Sequence, residues 1–144
     1  MSSLKIDMTV HIERSPAEVF SAWASAESLA SWFAPMAEQL PDVSMDFVIG
    51  GQYSIVMPLP DGSVHTTKGM FRVIVPNERI IMTWQCDAFT DPESLVDVTF
   101  TPSGGGTDVH LVHQSFESAE TCEAHSGGWQ ACLGQLAVWL AAEE

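Results

Sequence analysis

The alternation of apolar and polar residues near the start of the chain predicts a half-buried β-strand. Every second residue from Leu4 to Ile12 is apolar, and the residues between them are charged or polar. Side chains of a strand point alternately to its two faces, so one face lies on a core and the other in water. A similar two-residue period recurs in later segments and predicts further strands of one sheet. These segments are 52–57, 65–75, 79–86, 94–101 and 107–116.

Helical signals stand on both sides of this run of strands. Ser15 is followed by Pro16 and, three residues after the serine, by Glu18, which predicts a helix that begins with a capping box. A second short helix is expected over 26–32. The segment 120–140 has apolar or weakly polar residues three or four apart, the period of one helix face.

The order of these elements predicts an α+β fold. Hairpin-linked strands with helices at their ends favour an antiparallel sheet over alternating βαβ units. A chain of 144 residues suggests a single domain, 1–144. One long helix laid on one sheet must cover it, and it either fills the buried face completely or leaves a pocket.

The charge of the chain excludes two classes of partner. Five Lys and Arg stand against 19 Asp and Glu, a net charge of −14. Such a surface repels nucleic acid and anionic membranes. Neither a membrane-inserted helix nor a secretory signal is expected from the hydropathy. Three cysteines without a CxxC pair favour free thiols and a cytoplasmic location.

Six short motifs, in order along nearly the whole chain, resemble one family. They are 15–20 with Trp23, Leu29 with Trp32-Phe33, 50–53, Gly69 with 76–80 and Thr83-Trp84, Gly106-Thr107 with His113, and 127–129 with the leucines that follow. With them the chain resembles the START-like (SRPBCC) helix-grip superfamily, which includes polyketide cyclases and birch-allergen-type binders. Within it the chain resembles the branch named after activators of the 90-kDa heat-shock-protein ATPase.

The resemblance implies a curved antiparallel sheet of about six or seven strands that grips the C-terminal helix, with one or two short helices after the first strand. It also implies a cavity between sheet and helix. Fold does not determine function, so three functions are considered. We favour binding of a hydrophobic or amphipathic small molecule in the cavity, by a monomer or homodimer. The alternatives are a co-chaperone-like regulator of a heat-shock ATPase and a cyclase- or hydrolase-type enzyme that uses the same cavity.

The residues in phase on the strands and on one face of the last helix converge on the expected cavity. A set so rich in Trp and Met is typical either of a filled core or of an apolar pocket with few polar groups. Met36 is expected near the mouth. The predicted cavity residues are Trp32, Phe33, Tyr53, Ile55, Met57, Met82, Trp84, Val98, Phe100, Leu111, His113, His125, Trp129 and Leu133.

Few polar side chains are candidates for chemistry at this cavity. His113 and His125 can orient a ligand or transfer a proton, and the alternative is that both are structural. Arg72 can hold a carboxylate if it faces inward, which the strand phase around Gly69 leaves open. Cys122 and His125 form one metal-ligand pair, but no second pair has zinc-site spacing. We therefore expect no metal, no cofactor and no assigned catalytic residue.

The pair Gly127-Gly128 interrupts the predicted C-terminal helix. Each glycine costs up to about 1 kcal/mol of helix stability relative to alanine. One explanation is close packing of the helix on the sheet, since helix glycines usually have packing reasons. The other explanation is space for a ligand beside Trp129.

Overall fold

The computed structural model describes residues 4–33, 41–58, 62–87, 93–114, 116 and 118–142. Within these residues the order is one strand, two short helices, six strands and one long helix. The elements are β1 (Lys5–Ile12), α1 (Pro16–Ser21), α2 (Ala26–Trp32), β2 (Asp42–Met45), β3 (Gln52–Pro58), β4 (Val64–Val75), β5 (Arg79–Cys86), β6 (Ser94–Ser103), β7 (Gly106–Gln114) and α3 (Ala119–Ala142).

The seven strands form one curved antiparallel sheet. Their order across the sheet is β1-β7-β6-β5-β4-β3-β2, so strands 2 to 7 lie in chain order and β1 pairs with the last strand. The long α3 buries one face, which contributes Trp129, Cys132, Leu133, Leu136 and Leu140 to the core. The predicted α+β helix-grip fold is confirmed.

The first helix begins where the sequence predicts. The Ser15 hydroxyl accepts a hydrogen bond from the Glu18 backbone N–H at 3.2 Å, and the Glu18 carboxylate accepts one from the Ser15 N–H at 3.2 Å. This capping box satisfies two backbone donors that the helix itself leaves unpaired. The helix then buries Val19 and Phe20.

The edge strand β2 is not predicted from the sequence. It has four residues, Asp42–Met45, and pairs with β3. Its side chains are exposed or half-buried, because β2 lies at an edge of the sheet. A segment so short and so little buried shows too few apolar repeats to be recognised by its period.

Gly69 lies where two backbones approach closely. A Cβ at this position would lie 2.0 Å from the Thr83 carbonyl oxygen and 2.8 Å from the Tyr53 ring. Only glycine fits without moving the neighbouring strand. An irregularity in β4 is expected from this glycine, but the register with β5 shifts slightly later, between Phe71 and Val73.

Arg72 lies at the register shift in β4 and points to the solvent. Phe71 is buried, whereas Arg72 is exposed. The hypothesis that Arg72 holds a carboxylate inside the cavity is therefore wrong, because its guanidinium lies in water.

Both explanations offered for Gly127-Gly128 are wrong. The two glycines are exposed, and a Cβ built on either of them has no atom within 4 Å apart from its chain neighbours and the backbone of its own helix. They lie on the solvent side of α3, away from the buried face that carries Trp129. The pair therefore neither packs on the sheet nor makes space for a ligand.

Alanine substitutions test the contrast between these glycines. In Gly69→Ala the new methyl group meets the Thr83 carbonyl, so we expect the free energy of unfolding to fall by about 1–3 kcal/mol. In the control Gly127→Ala the methyl group meets nothing and alanine favours the helix, so stability should rise by up to about 1 kcal/mol. Urea unfolding followed by circular dichroism measures both. Undiminished stability of Gly69→Ala would contradict the close backbone approach.

Candidate functional site

An apolar cavity lies between one half of the sheet and the helices. Its strand residues come from β2 to β5, and the rest come from α2 with its flanks and from α3. The lining consists of Trp23, Leu29, Phe33, Met45, Tyr53, Ile55, Phe71, Ile80, Met82, Trp84 and Trp129. The cavity volume is about 10 Å³. That is close to the least space in which one water fits.

The structure brings together six of the predicted cavity residues. Phe33, Tyr53, Ile55, Met82, Trp84 and Trp129 line the cavity. The other eight do not line it. Trp32, Val98, Phe100, Leu111 and Leu133 are buried elsewhere in the core, Met57 is half-buried, and His113 and His125 lie behind the wall. Met36 lies outside the described residues.

Five lining residues are missing from the predicted set, and the sequence carries signals for three of them. Trp23 and Leu29 belong to the quoted motifs, and Ile80 is in phase with its neighbours on β5. Met45 is missed because β2 is not predicted. Phe71 is missed because the sequence leaves the strand phase around Gly69 open; in the structure Phe71 keeps the register of Thr67 with β5 and faces inward, and the register shift comes after it.

His113 is fully buried and both of its ring nitrogens are hydrogen-bonded. The Trp129 indole N–H donates to Nδ1 at 3.0 Å, so Nδ1 carries no proton. Nε2 therefore carries the proton and donates to the Ser94 hydroxyl at 2.7 Å. That hydroxyl donates in turn to the Trp84 backbone carbonyl at 3.1 Å. Each donor in this series of hydrogen bonds, from Trp129 through His113 to Ser94, has one acceptor. The series requires a neutral imidazole.

His125, on α3, is held in the opposite tautomer. The Trp84 indole N–H donates to its Nε2 at 3.1 Å. Nδ1 therefore carries the proton and donates to the Thr121 carbonyl at 2.9 Å, one turn earlier in the helix. The rings of His125 and His113 are 5.2 Å apart, centre to centre. Two neutral imidazoles, with their rings nearly perpendicular, thus lie behind the indoles of Trp84 and Trp129.

The burial of His113 opposes its protonation. Burial, and to a smaller extent the neighbouring His125, lowers the pKa of His113 to about 3. At neutral pH His113 is therefore uncharged. In each ring the one nitrogen that could take a proton is the acceptor of an indole N–H, so protonation would break that hydrogen bond. This arrangement fits the alternative of structural histidines rather than that of a proton-transfer pair.

The polar groups of the wall are mostly engaged away from the cavity. The indole N–H groups of Trp84 and Trp129 bond to the histidines, and the Tyr53 hydroxyl donates to the Thr83 carbonyl. Burial, with a smaller effect of Glu93, raises the pKa of Tyr53 above its usual range, so its hydroxyl stays neutral. The wall therefore presents mainly aromatic rings, aliphatic side chains and two thioethers.

The described residues show neither a metal cluster nor a spanning helix. Among them no group of three or more His, Cys, Asp and Glu is arranged to hold a metal ion. The Cys122–His125 pair considered from the sequence has both imidazole nitrogens engaged. Of the helices that the structure describes, none combines the length and apolarity needed to cross a membrane.

Comparisons with known proteins place the chain beside one family. The family model described as "Activator of Hsp90 ATPase homolog 1-like protein" matches residues 13–141. An uncharacterised protein from Rhizobium leguminosarum is 28% identical, with a TM-score of 0.83 over 96% of this chain and 95% of that chain. No curated protein showed significant similarity to the chain.

Two further solved structures show the same fold. A protein from Chromobacterium violaceum is 25% identical, with a TM-score of 0.81 over 96% of this chain and 98% of that chain. The AHSA1 protein from Silicibacter pomeroyi is 22% identical, with a TM-score of 0.82 over 97% of this chain and 99% of that chain.

The low pKa of His113 predicts a loss of stability in acid. The unfolded chain takes up a proton near pH 6.5, whereas the folded protein resists it until about pH 3. The contribution of the neutral His113 to folding stability is therefore fully present above pH 6.5. It is lost as the pH falls from 6.5 towards about 3. We expect the free energy of unfolding to drop by up to about 1.4 kcal/mol per pH unit from this residue.

Urea unfolding between pH 7 and pH 4.5 measures this slope. His113→Asn should reduce it. The matched control is His110→Asn on the same strand, because His110 is half-buried on the other face and bonds to Asp7 at 2.7 Å. That variant should keep the slope. An unchanged slope in His113→Asn would show that the histidine does not resist protonation.

Proposed function

Since the chain belongs to the family of Activator of Hsp90 ATPase homolog 1-like proteins, we propose that it binds a small hydrophobic or amphipathic molecule in the cavity between β2–β5, α2 and α3. The family's fold is compatible with ligand binding. The observation that carries the proposal is the wall itself. Eleven residues, six of them aromatic and two of them methionine, converge on one apolar cavity. A concave apolar surface with few polar groups is the usual form of a small-molecule site.

The size of the cavity requires that the site opens when it binds. Sites for small molecules usually measure about 300–1,000 Å³, and this cavity measures about 10 Å³. One side of the wall is formed by two short elements, the seven-residue α2 and the four-residue edge strand β2. Short elements at an edge open locally at lower free energy than central strands. We propose that α2 and β2 move apart from α3 to admit the ligand.

Two methionines make such a change of shape less costly. Met45 lies on β2 and Met82 on β5, and both line the cavity. Unbranched thioether side chains adapt to irregular contacts with little strain. The aromatic rings supply the rigid part of the surface, since their hydrogen bonds and mutual contacts fix their orientation.

The two other functions have less support. Of the eleven lining residues only Tyr53 has a titratable side chain, and its hydroxyl is held by the Thr83 carbonyl. A cyclase- or hydrolase-type reaction therefore lacks an acid or base at this wall. The co-chaperone-like role rests on the family description, and no contact among the described residues favours a heat-shock ATPase as partner.

The cellular setting is part of the same proposal. Cys86 and Cys122 are free thiols, which supports a reducing compartment such as the cytoplasm. We propose that a monomer or a homodimer carries one such site in each chain.

Naphthalene, an uncharged apolar probe, tests this proposal together with two matched variants. Ile55→Phe adds volume inside the cavity, whereas Leu111→Phe adds the same side chain to a buried strand position outside it. Overpacking should cost each variant about 1–3 kcal/mol of stability. Binding of naphthalene should weaken at least tenfold in Ile55→Phe and by less than threefold in Leu111→Phe.

Chemical-shift changes in nitrogen-15 NMR spectra report this binding. In the unmodified protein the changes should concentrate in α2 and in β2 to β5. Spectra that do not change at the solubility limit of naphthalene would contradict the proposed function. Equal weakening in both variants would place the site elsewhere.

A further inference from the structure

Two buried side-chain polar groups among the described residues have no hydrogen-bond partner. They are the indole N–H of Trp23 and the hydroxyl of Thr67. Thr67 is not part of the cavity wall. Trp23 is 3% exposed and lines the cavity. An unpaired donor and the cavity therefore meet at one residue.

An unpaired buried donor is uncommon and costly. More than nine in ten buried polar groups find a partner, and one left without a partner costs about 1–3 kcal/mol. The comparable groups of this wall follow the rule. Trp84 and Trp129 donate to histidines, and Tyr53 donates to a backbone carbonyl. Among the lining residues Trp23 alone carries a free donor.

The Trp23 ring is held in place on two sides. It meets the Trp32 ring edge-on at 4.9 Å and stacks on the Trp129 ring at 6.2 Å, with 21° between the latter two planes. Its backbone N–H donates to the Phe20 carbonyl at 3.0 Å. A donor on an immobilised ring loses little further entropy when it forms a hydrogen bond.

A single water molecule in the cavity would be a poor hydrogen-bond acceptor for the Trp23 N–H. The cavity volume of about 10 Å³ is at the lower limit for one water. A buried water generally needs two to four polar partners. The wall around Trp23 offers one free donor among otherwise engaged or apolar groups. A ligand with apolar surface and a single acceptor matches this wall better than water does.

We propose that the indole N–H of Trp23 is the polar anchor of the ligand site, and that its ligand is an uncharged, mainly apolar molecule whose buried end carries a ketone- or aldehyde-type oxygen. This inference rests on the proposed function. A carboxylate does not fit, because a single donor with no cation on the wall does not offset its loss of hydration. The net charge of −14 also opposes the approach of an anion.

Three probes of nearly the same shape separate the contribution of the acceptor from that of apolar contact. Acetophenone carries C=O, α-methylstyrene carries C=CH₂ in its place, and benzoate carries a carboxylate. In Trp23→Phe we expect the affinity for acetophenone to fall about fivefold to tenfold, as for the loss of one neutral hydrogen bond. The affinity for α-methylstyrene should change less than twofold. Benzoate should bind neither protein measurably.

Trp32→Phe is the matched control. Trp32 contacts Trp23, does not line the cavity, and donates its indole N–H to the Ala22 carbonyl at 3.0 Å. The same substitution there should lower stability and leave the ratio of the two affinities unchanged. The indole N–H resonance of Trp23 gives a second readout that needs no variant. In the unmodified protein it should move strongly with acetophenone and little with α-methylstyrene.

The outcomes separate this inference from the proposed function. If both probes bind but the Trp23 resonance does not respond to acetophenone, the anchor is wrong and the apolar site stands. Equal loss of both affinities in a folded Trp23→Phe would overturn the anchor in the same way. If neither probe binds, both proposals fail. Should Trp23→Phe not fold, the resonance in the unmodified protein decides.

Discussion

Two reciprocal hydrogen bonds between indoles and imidazoles determine how the long helix lies on the sheet. Trp129 on α3 donates to His113 on β7, and Trp84 on β5 donates to His125 on α3. His125 and Trp129 are four residues apart and therefore share one helix face. Each bond requires an unprotonated imidazole nitrogen, so the packing of α3 depends on two neutral histidines. Loss of either bond leaves a buried or half-buried donor unpaired, which costs about 1–3 kcal/mol.

This constraint also gives the cavity its character. The same two indoles form part of the cavity wall, and their N–H groups are used on the histidine side. The β6–β7 half of the sheet contributes filled core, whereas the β2–β5 half borders the cavity. Trp23 differs from the other two indoles because its N–H is unpaired. An apolar wall with one free donor favours binding of an uncharged molecule over chemistry on one.

The fold was predictable because its signals are local. Strand alternation and the Ser15 capping box depend on neighbours in the sequence, and they indicate the same elements that the structure shows. The site was predictable only in part. The phase of β4, which buries Phe71 and exposes Arg72, and the register shift between Phe71 and Val73 both depend on pairing with β5, and a local pattern does not contain them. The inward phase of His113 could be read from its strand, but its role as an acceptor depends on α3. Exposure of Gly127 likewise follows from tertiary packing.

The tautomers of the two histidines provide the most direct test of the central constraint. Long-range proton–nitrogen NMR correlations of the imidazole rings at pH 7 report which nitrogen carries the proton. The structure requires the proton on Nε2 of His113 and on Nδ1 of His125, since the opposite nitrogens accept from indoles. Observation of these two opposite tautomers would support the account. The same tautomer in both rings, or a protonated imidazolium in either, would contradict it.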